Sequence, residues 1–411
     1  MDHRNQSLDQ IARILRDQHV RKVDITAPYD HISAHHGQIV VQDTGEPVIT
    51  MDGVTPSFGT YDVTPVADEG LSTRLGIPVA YLRSLRGRGL PLLVDQNING
   101  LLWAERERAK RDGQREPRAF LRTLKPVDGA PGVLRAVLSD RYRTIDNLDV
   151  LVAALDGVRS ADVSAQVEAC DLSDRRMYIR VVSEGIRAMA PDLLRGYRSP
   201  FEADPNIRRA GGGWTVESGR EAARREGSAY TEGSEPVVFA GFEIRNSEVG
   251  QGGFKIVPRL VVKICRNGLT IPVDALSERH IGGRLDDGVV ELSQRTVNAA
   301  LELVTARTAD AVRQYLTPAY VQSKVDDLSE AAGTPVERPE KVVTEVARTL
   351  RFTDGERDGI LRHFLTGGQA TAGGVMQAVT SYAQCVSSAD SAAALEDSAL
   401  RVLSIAAASA R

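Results

Sequence analysis

The chain has 411 residues, of which 42% are hydrophobic and 26% charged, with a formal net charge of −4. That length exceeds a single ordinary core and implies two or three domains of globular composition. The negative balance disfavours coating of nucleic acid through bulk charge, so any polyanion site must be a local patch.

No stretch reaches the roughly 18 consecutive apolar residues of a membrane span. The polar start, Met1-Asp2-His3-Arg4-Asn5-Gln6, lacks the apolar run of a secretory leader. Cys170, Cys265 and Cys385 lie far apart without CxxC spacing, which gives neither a disulfide framework nor a zinc site. These features lead to the expectation of a cytoplasmic protein with no membrane partner, no metal and no cofactor.

Leu8, Ile11, Ile14 and Leu15 recur at helical spacing after Ser7, a natural N-cap, so a helix is expected over residues 6–20. Residues 22–66 are rich in Thr, Pro, Asp and Gly and contain short apolar runs such as Gln38-Ile39-Val40-Val41. They read as small strands and turns. A helical region is expected from Leu71 to about Arg111. Its first part, Leu71 to Leu85, resembles a helix-turn-helix with Gly76 at the turn and Pro78 opening the second helix. Two packed helices joined by a glycine bend would give the same pattern. From Arg83 to Lys125, eleven Lys and Arg stand against five Asp and Glu, a local basic excess in an acidic chain.

The centre is rich in strand signals. Gly132–Ser139 reads as a strand, and Asn147 caps a helix through Val158 whose Leu148, Leu151, Val152 and Leu155 form one stripe. Val163–Cys170 and Arg176–Ser183 alternate with period two, and the turn Asp171-Leu-Ser-Asp174 joins them as a hairpin. Residues 205–235, with Gly211-Gly212-Gly213 and scattered Glu and Arg, read as a mobile arm. Val237–Arg245 and Gly253–Arg266 form a second hairpin. From Leu292 onward the pattern is helical, with Pro318 kinking or dividing one long element. The expected fold is α+β: a central antiparallel sheet of two hairpins packed on a helix, between helical N-terminal and C-terminal regions. Boundaries are expected at 1–66, 67–130, 131–291 and 292–411.

Alternation along Phe254–Arg266 places Ile256, Leu260, Val262 and Ile264 on one face and Lys255, Arg259 and Lys263 on the other. Arg176, Tyr178 and Arg180 alternate likewise against Met177, Ile179 and Val181. If the hairpins share a sheet, five cations line one face, with Arg266 in the turn that follows. Cations about 13 Å apart along a strand can follow a phosphodiester backbone, and Tyr178 offers a surface for base stacking. A merely solvated sheet face would show the same alternation. In the connector Asn246-Ser247-Glu-Val-Gly250-Gln-Gly252-Gly253 the glycines permit positive φ and an anion-cradling nest, though no GK[ST] follows; a structural turn is the alternative. Further candidates are Arg141 and Arg143, between Asp140 and Asp146, and the group Arg279, His280 and Arg284. Asp140, Asp146 and His280 would serve phosphodiester chemistry only if they converged on a metal or a pocket.

Three of these segments occur in a telling order: Leu138-Ser-Asp-Arg-Tyr-Arg-Thr-Ile-Asp-Asn147, Asn246-Ser-Glu-Val-Gly250 and Val262-Lys-Ile-Cys-Arg-Asn-Gly268. Together they resemble the signature of a phage- and plasmid-borne family known as a domain of unknown function, over residues 70–290 and into the C-terminal helices. The resemblance implies a role in DNA replication, recombination or mobile-element defence. The order of helix and paired hairpins is also similar to the core of phage single-strand annealing proteins such as Red-beta and RecT, an analogy at the level of fold. The expected function is single-stranded DNA binding by a homo-oligomer that anneals or protects strands. The alternatives are a metal-dependent phosphodiester or nucleotide enzyme, and a structural assembly protein indifferent to nucleic acid.

Overall fold

In the computed structural model, residues 2–42, 48–50, 53–55, 58–127, 129–140, 142, 145–211, 236–263, 268–278 and 294–410 are described. The fold is α+β, and two sheets gather the buried apolar residues into two main cores.

The chain opens with β1 (His3–Gln6) and α1 (Leu8–Arg21), whose Ser7 and Gln10 form a reciprocal capping box. Next come β2 (Lys22–Pro28), β3 (Ile32–His35), β4 (Gln38–Val41), the small pair β5 (Val48–Thr50) and β6 (Gly53–Thr55), and β7 (Gly59–Val63). Helices α2 (Pro65–Leu75), α3 (Val79–Gly87) and α4 (Pro91–Arg111) precede β8 (Arg118–Leu124) and β9 (Gly132–Ser139). Six of these strands form one sheet in the order β2-β8-β9-β7-β4-β3, antiparallel except where β7 runs beside β9. Alternation in β2 buries Val23, Ile25 and Ala27 in a core shared with Leu71, Leu82, Val94 and Ile98 of the three helices.

The second sheet is antiparallel, in the order β1-β10-β11-β12-β13-β14. It comprises β10 (Gln166–Leu172), β11 (Met177–Met189), β12 (Val237–Asn246), β13 (Phe254–Val262) and β14 (Gly268–Thr270), with β15 (Leu276–Glu278) also paired to β13. The two expected hairpins do join: Arg180 lies opposite Glu243, and Gly241 opposite Arg259. Met177, Ile179, Phe242, Ile244, Ile256 and Leu260 share a core with α5 (Asn147–Ser160) and α8 (Gln294–Tyr315). Gly157 lets those two helices touch, since a Cβ there would lie 2.5 Å from the Thr305 carbonyl oxygen. Two short helical turns, α6 (Pro191–Leu194) and α7 (Pro200–Ala203), follow β11. The C-terminal part is α8, α9 (Pro318–Ala332), α10 (Pro339–Leu350), α11 (Asp354–Gly367), α12 (Ala372–Ala383) and α13 (Ala389–Ser409). Pro318 divides rather than kinks: it starts α9 behind the Thr317 cap, where its missing N–H costs nothing.

Several expectations change. Val152 faces solvent, because packing of α5 selects the adjacent stripe Val150, Leu151, Ala154 and Gly157. β9 pairs with β7 and β8, so Gly132–Ser139 belongs to the N-terminal sheet, whereas β1 at the chain start pairs with β10 in the central one. Residues 205–211, expected to begin a mobile arm, are tied down: Asn5 Nδ2 donates to the Ala210 carbonyl at 2.6 Å, and the Ala210 N–H to that of Gln384 at 2.8 Å. The remainder of that expected arm, 212–235, lies outside the described residues. Among the described residues no helix is long and apolar enough to cross a membrane.

Candidate functional site

The sheet face expected to meet a polyanion is an interior layer. Helix α13 lies across it and supplies carboxylates to its cations. Tyr178 Oη donates to Asp390 Oδ1 at 2.6 Å, and its ring packs against Ala389 and Ala393. Arg245 donates to both Asp397 oxygens at 2.6 and 2.7 Å. Arg259, 2% exposed, sits 3.6 Å from Glu396 Oε1 and 3.7 Å from Glu168 Oε2. Arg180, 4% exposed, pairs with Asp171 and lies 3.3 Å from Glu243, while Arg4 of β1 also binds Asp171. Burial opposes the charge on Arg180, but Asp171, Glu396 and Glu243 outweigh it and raise its pKa. Burial pushes the Glu396 carboxyl up, against Arg259 and Arg180.

Tyr178, Arg180, Arg259 and the buried Lys263 are therefore withdrawn from solvent; Lys255 is exposed and Arg176 half-buried. Nor does α13 resemble a lid. It buries Leu395, Ala399, Val402 and Leu403 in the main core, so lifting it would expose that apolar surface as well. Arg266, Arg141, Arg143, Arg279, His280 and Arg284 lie outside the described residues.

The connector between β12 and β13 is a latch between the two sheets. Asn246 Nδ2 donates to Asn147 Oδ1 at 2.8 Å, and Ser247 Oγ accepts the Gln251 N–H at 3.0 Å. Glu248 accepts the first helical N–H of α5, on Asn147, at 2.8 Å and pairs with Arg135 of β9. Gly250, at φ +80°, lies against Leu138, and Gly252, at φ +142°, faces the Arg176 guanidinium. Arg176 Nε in turn donates to the Gln251 carbonyl at 2.8 Å. The expected anion nest is thus filled by the protein's own side chains.

Beneath the latch Arg122, almost fully buried, donates to Asp24 Oδ1 at 3.1 Å, Asp146 Oδ1 at 2.6 Å and the Glu248 carbonyl at 2.7 Å. Burial works against ionisation of Asp146, but Arg122 and Lys22 overcome it and hold the carboxyl down at about 2. Asp146 is consequently engaged by two cations. Among the described residues no group of His, Cys, Asp and Glu is placed to hold a metal.

Above the latch a cleft of about 500 Å³ opens between α2, β9 and the connector. Ile77, Val79, Leu138 and Val249 give it apolar walls, and Glu69, Ser72, Thr73, Arg74 and Gln251 give it polar groups. Glu69 bridges the two halves: Arg83 and Arg175 bind its carboxylate, and Gln251 Nε2 donates to it at 3.2 Å. The Arg175 hydrogen bond holds the Glu69 carboxyl below its ordinary range, with Arg83 adding to the effect against partial burial.

Two features escaped the sequence. Trp103 on α4 stands 62% exposed, on the helix face that also carries Leu92 and Lys110. Tyr81 of α3 is exposed as well. Helical spacing from Leu92 through Trp103 to Lys110 carried the first signal, hidden because apolar residues are normally assigned to cores. The second is a pair: Cys385 Sγ lies 3.5 Å from His363 Nε2, while His363 Nδ1 meets Ser381 Oγ at 2.8 Å. Ser381 donates to the Ala378 carbonyl, so its oxygen accepts from Nδ1–H and leaves Nε2 as acceptor toward the thiol. Burial lowers His363 to about 4 and pushes Cys385 up to about 11, which makes a neutral hydrogen bond rather than an ion pair. Comparison of the chain with family models, curated proteins and solved structures returned no match.

Proposed function

We propose that the protein binds single-stranded nucleic acid, with the outer face of α3 and α4 making the contact in place of the central sheet. The observation that carries this reading is Trp103, an indole left 62% exposed on the cation-bearing helix α4. Base stacking on an aromatic ring contributes about 1–3 kcal/mol per base and tolerates any sequence. Arg88 lies at the end of α3, and Arg108, Lys110 and Arg111 in the last turns of α4. A 21-residue helix is about 31 Å long, enough to follow several phosphates. Arg108 and Lys110 pair with Glu105 and Glu107 one turn away. Exposed pairs of this kind contribute only about 0–1 kcal/mol, so exchanging them for phosphate costs little.

The test is the fluorescence of Trp103 in a Trp214→Phe background during titration with oligothymidylate, beside light scattering. Quenching is expected, with affinity falling about 20-fold between roughly 50 and 200 mM salt if three phosphates are neutralised. Trp103→Ala should weaken binding about 5- to 160-fold with no change in secondary structure. The exposed Leu92 and Leu93 on the same helix favour a second reading, an assembly protein. A defined oligomer that ignores the oligonucleotide at low salt would establish that reading and overturn the first.

A further inference from the structure

We infer that the cleft between α2, β9 and the connector seats a single nucleotide of the bound strand, base inward and phosphate toward Arg74. This rests on the nucleic-acid reading and extends it to a defined subsite. The cleft measures about 500 Å³, within the roughly 300–1,000 Å³ of small-molecule sites. Val79, the first residue of α3, lines it, so the cleft adjoins one of the two helices assigned to the strand-binding face above.

The chemistry of the lining selects the ligand. Ile77, Val79, Leu138 and Val249 present apolar surface from both halves of the molecule, suited to the faces of a flat ring. Ser72 is 4% exposed, lines the cleft, and its hydroxyl has no hydrogen-bond partner among the described residues. A buried hydroxyl left unbonded is unfavourable, so it calls for a group that the bound molecule supplies. Gln251 and Glu69 are locked together by Arg175, yet the Gln251 amide retains a second N–H for the edge of a base. Arg74, in the last turn of α2, lines the cleft and forms no ion pair among the described residues. One cation beside apolar walls fits an amphipathic monophosphate better than free phosphate, which would leave the walls in water.

Isothermal titration of the full chain with deoxythymidine monophosphate, inorganic phosphate and oligothymidylate tests the assignment. The nucleotide is expected to bind at least about tenfold more tightly than phosphate, because phosphate forgoes the apolar contacts. Arg74→Ala removes a half-buried cation, and Thr73→Phe narrows the cleft from an exposed helix position; circular dichroism should show both variants folded, with thermal unfolding unchanged for Thr73→Phe. Each should weaken the nucleotide about tenfold or more and oligothymidylate only a few-fold. Absent nucleotide binding, or binding unchanged in both variants, would overturn the subsite while oligothymidylate binding continued to support the proposed function. Failure of oligothymidylate to bind the wild-type chain would overturn the strand-binding reading itself and, with it, the seating of a strand nucleotide.

Discussion

Gly268 sets a local condition for the buried charge layer. A Cβ there would fall 1.8 Å from Arg259 Nη2, so only glycine leaves room for that guanidinium between Glu168 and Glu396. Removing or displacing one member of a buried pair leaves the other uncompensated and costs about 3–5 kcal/mol. Gly268→Ala and Arg259→Ala are each expected to destabilise the protein by about 3 kcal/mol or more. Lys255→Ala, on the same strand but exposed, should stay within about 0.5 kcal/mol. Urea midpoints would measure all three, and equal midpoints for Arg259→Ala and Lys255→Ala would contradict the buried layer. At this scale the sequence was half legible. Alternation correctly separated Ile256 and Leu260 from Lys255 and Arg259, but it carries no information about what lies across from the polar side.

What lies across is an element, and α13 is the decisive one. Its helical character was readable from the sequence, whereas nothing in the local pattern marked Asp390, Glu396 and Asp397 as partners of a distant sheet. They are the counter-charges of the sheet, brought there by a chain reversal from more than a hundred residues away. Deleting residues 389–411 is therefore expected to collapse the central sheet rather than unmask a cationic surface. Circular dichroism and size-exclusion chromatography should show loss of cooperative unfolding and association of the exposed apolar core. A folded, monomeric truncation with raised affinity for single strands would instead make α13 an autoinhibitory cover. The connector was legible in a different way: its glycines signalled positive φ, which Gly250 and Gly252 adopt, though they face Leu138 and Arg176 rather than an anion.

For the molecule as a whole, the two sheets meet at the Arg122 cluster, and Asp146 gives that seam a pH dependence. Its folded pKa of about 2 lies below the ordinary value of about 3.9. A depressed carboxyl contributes stability that is present above the unfolded pKa and lost as pH falls through the folded one. The contribution should be complete above about pH 5 and disappear below about pH 2. Urea midpoints across that range should fall for the wild-type chain and fall less for Asp146→Asn, which lacks the titrating group. An identical slope in the variant would remove Asp146 from the seam's energetics.

From local patterns alone the sequence determined the α+β class, the pairing of two alternating hairpins and the helical C-terminal region. Each depends on side chains spaced two, three or four residues apart, and short-range periodicity records such spacing directly. Only the tertiary structure decided which sheet β1 and β9 join, that the cationic face is roofed by α13, and that Asp146 and Glu248 are structural. Those outcomes depend on residues distant in the chain becoming neighbours. A charge in a sequence reads the same whether water or a carboxylate from another element will solvate it.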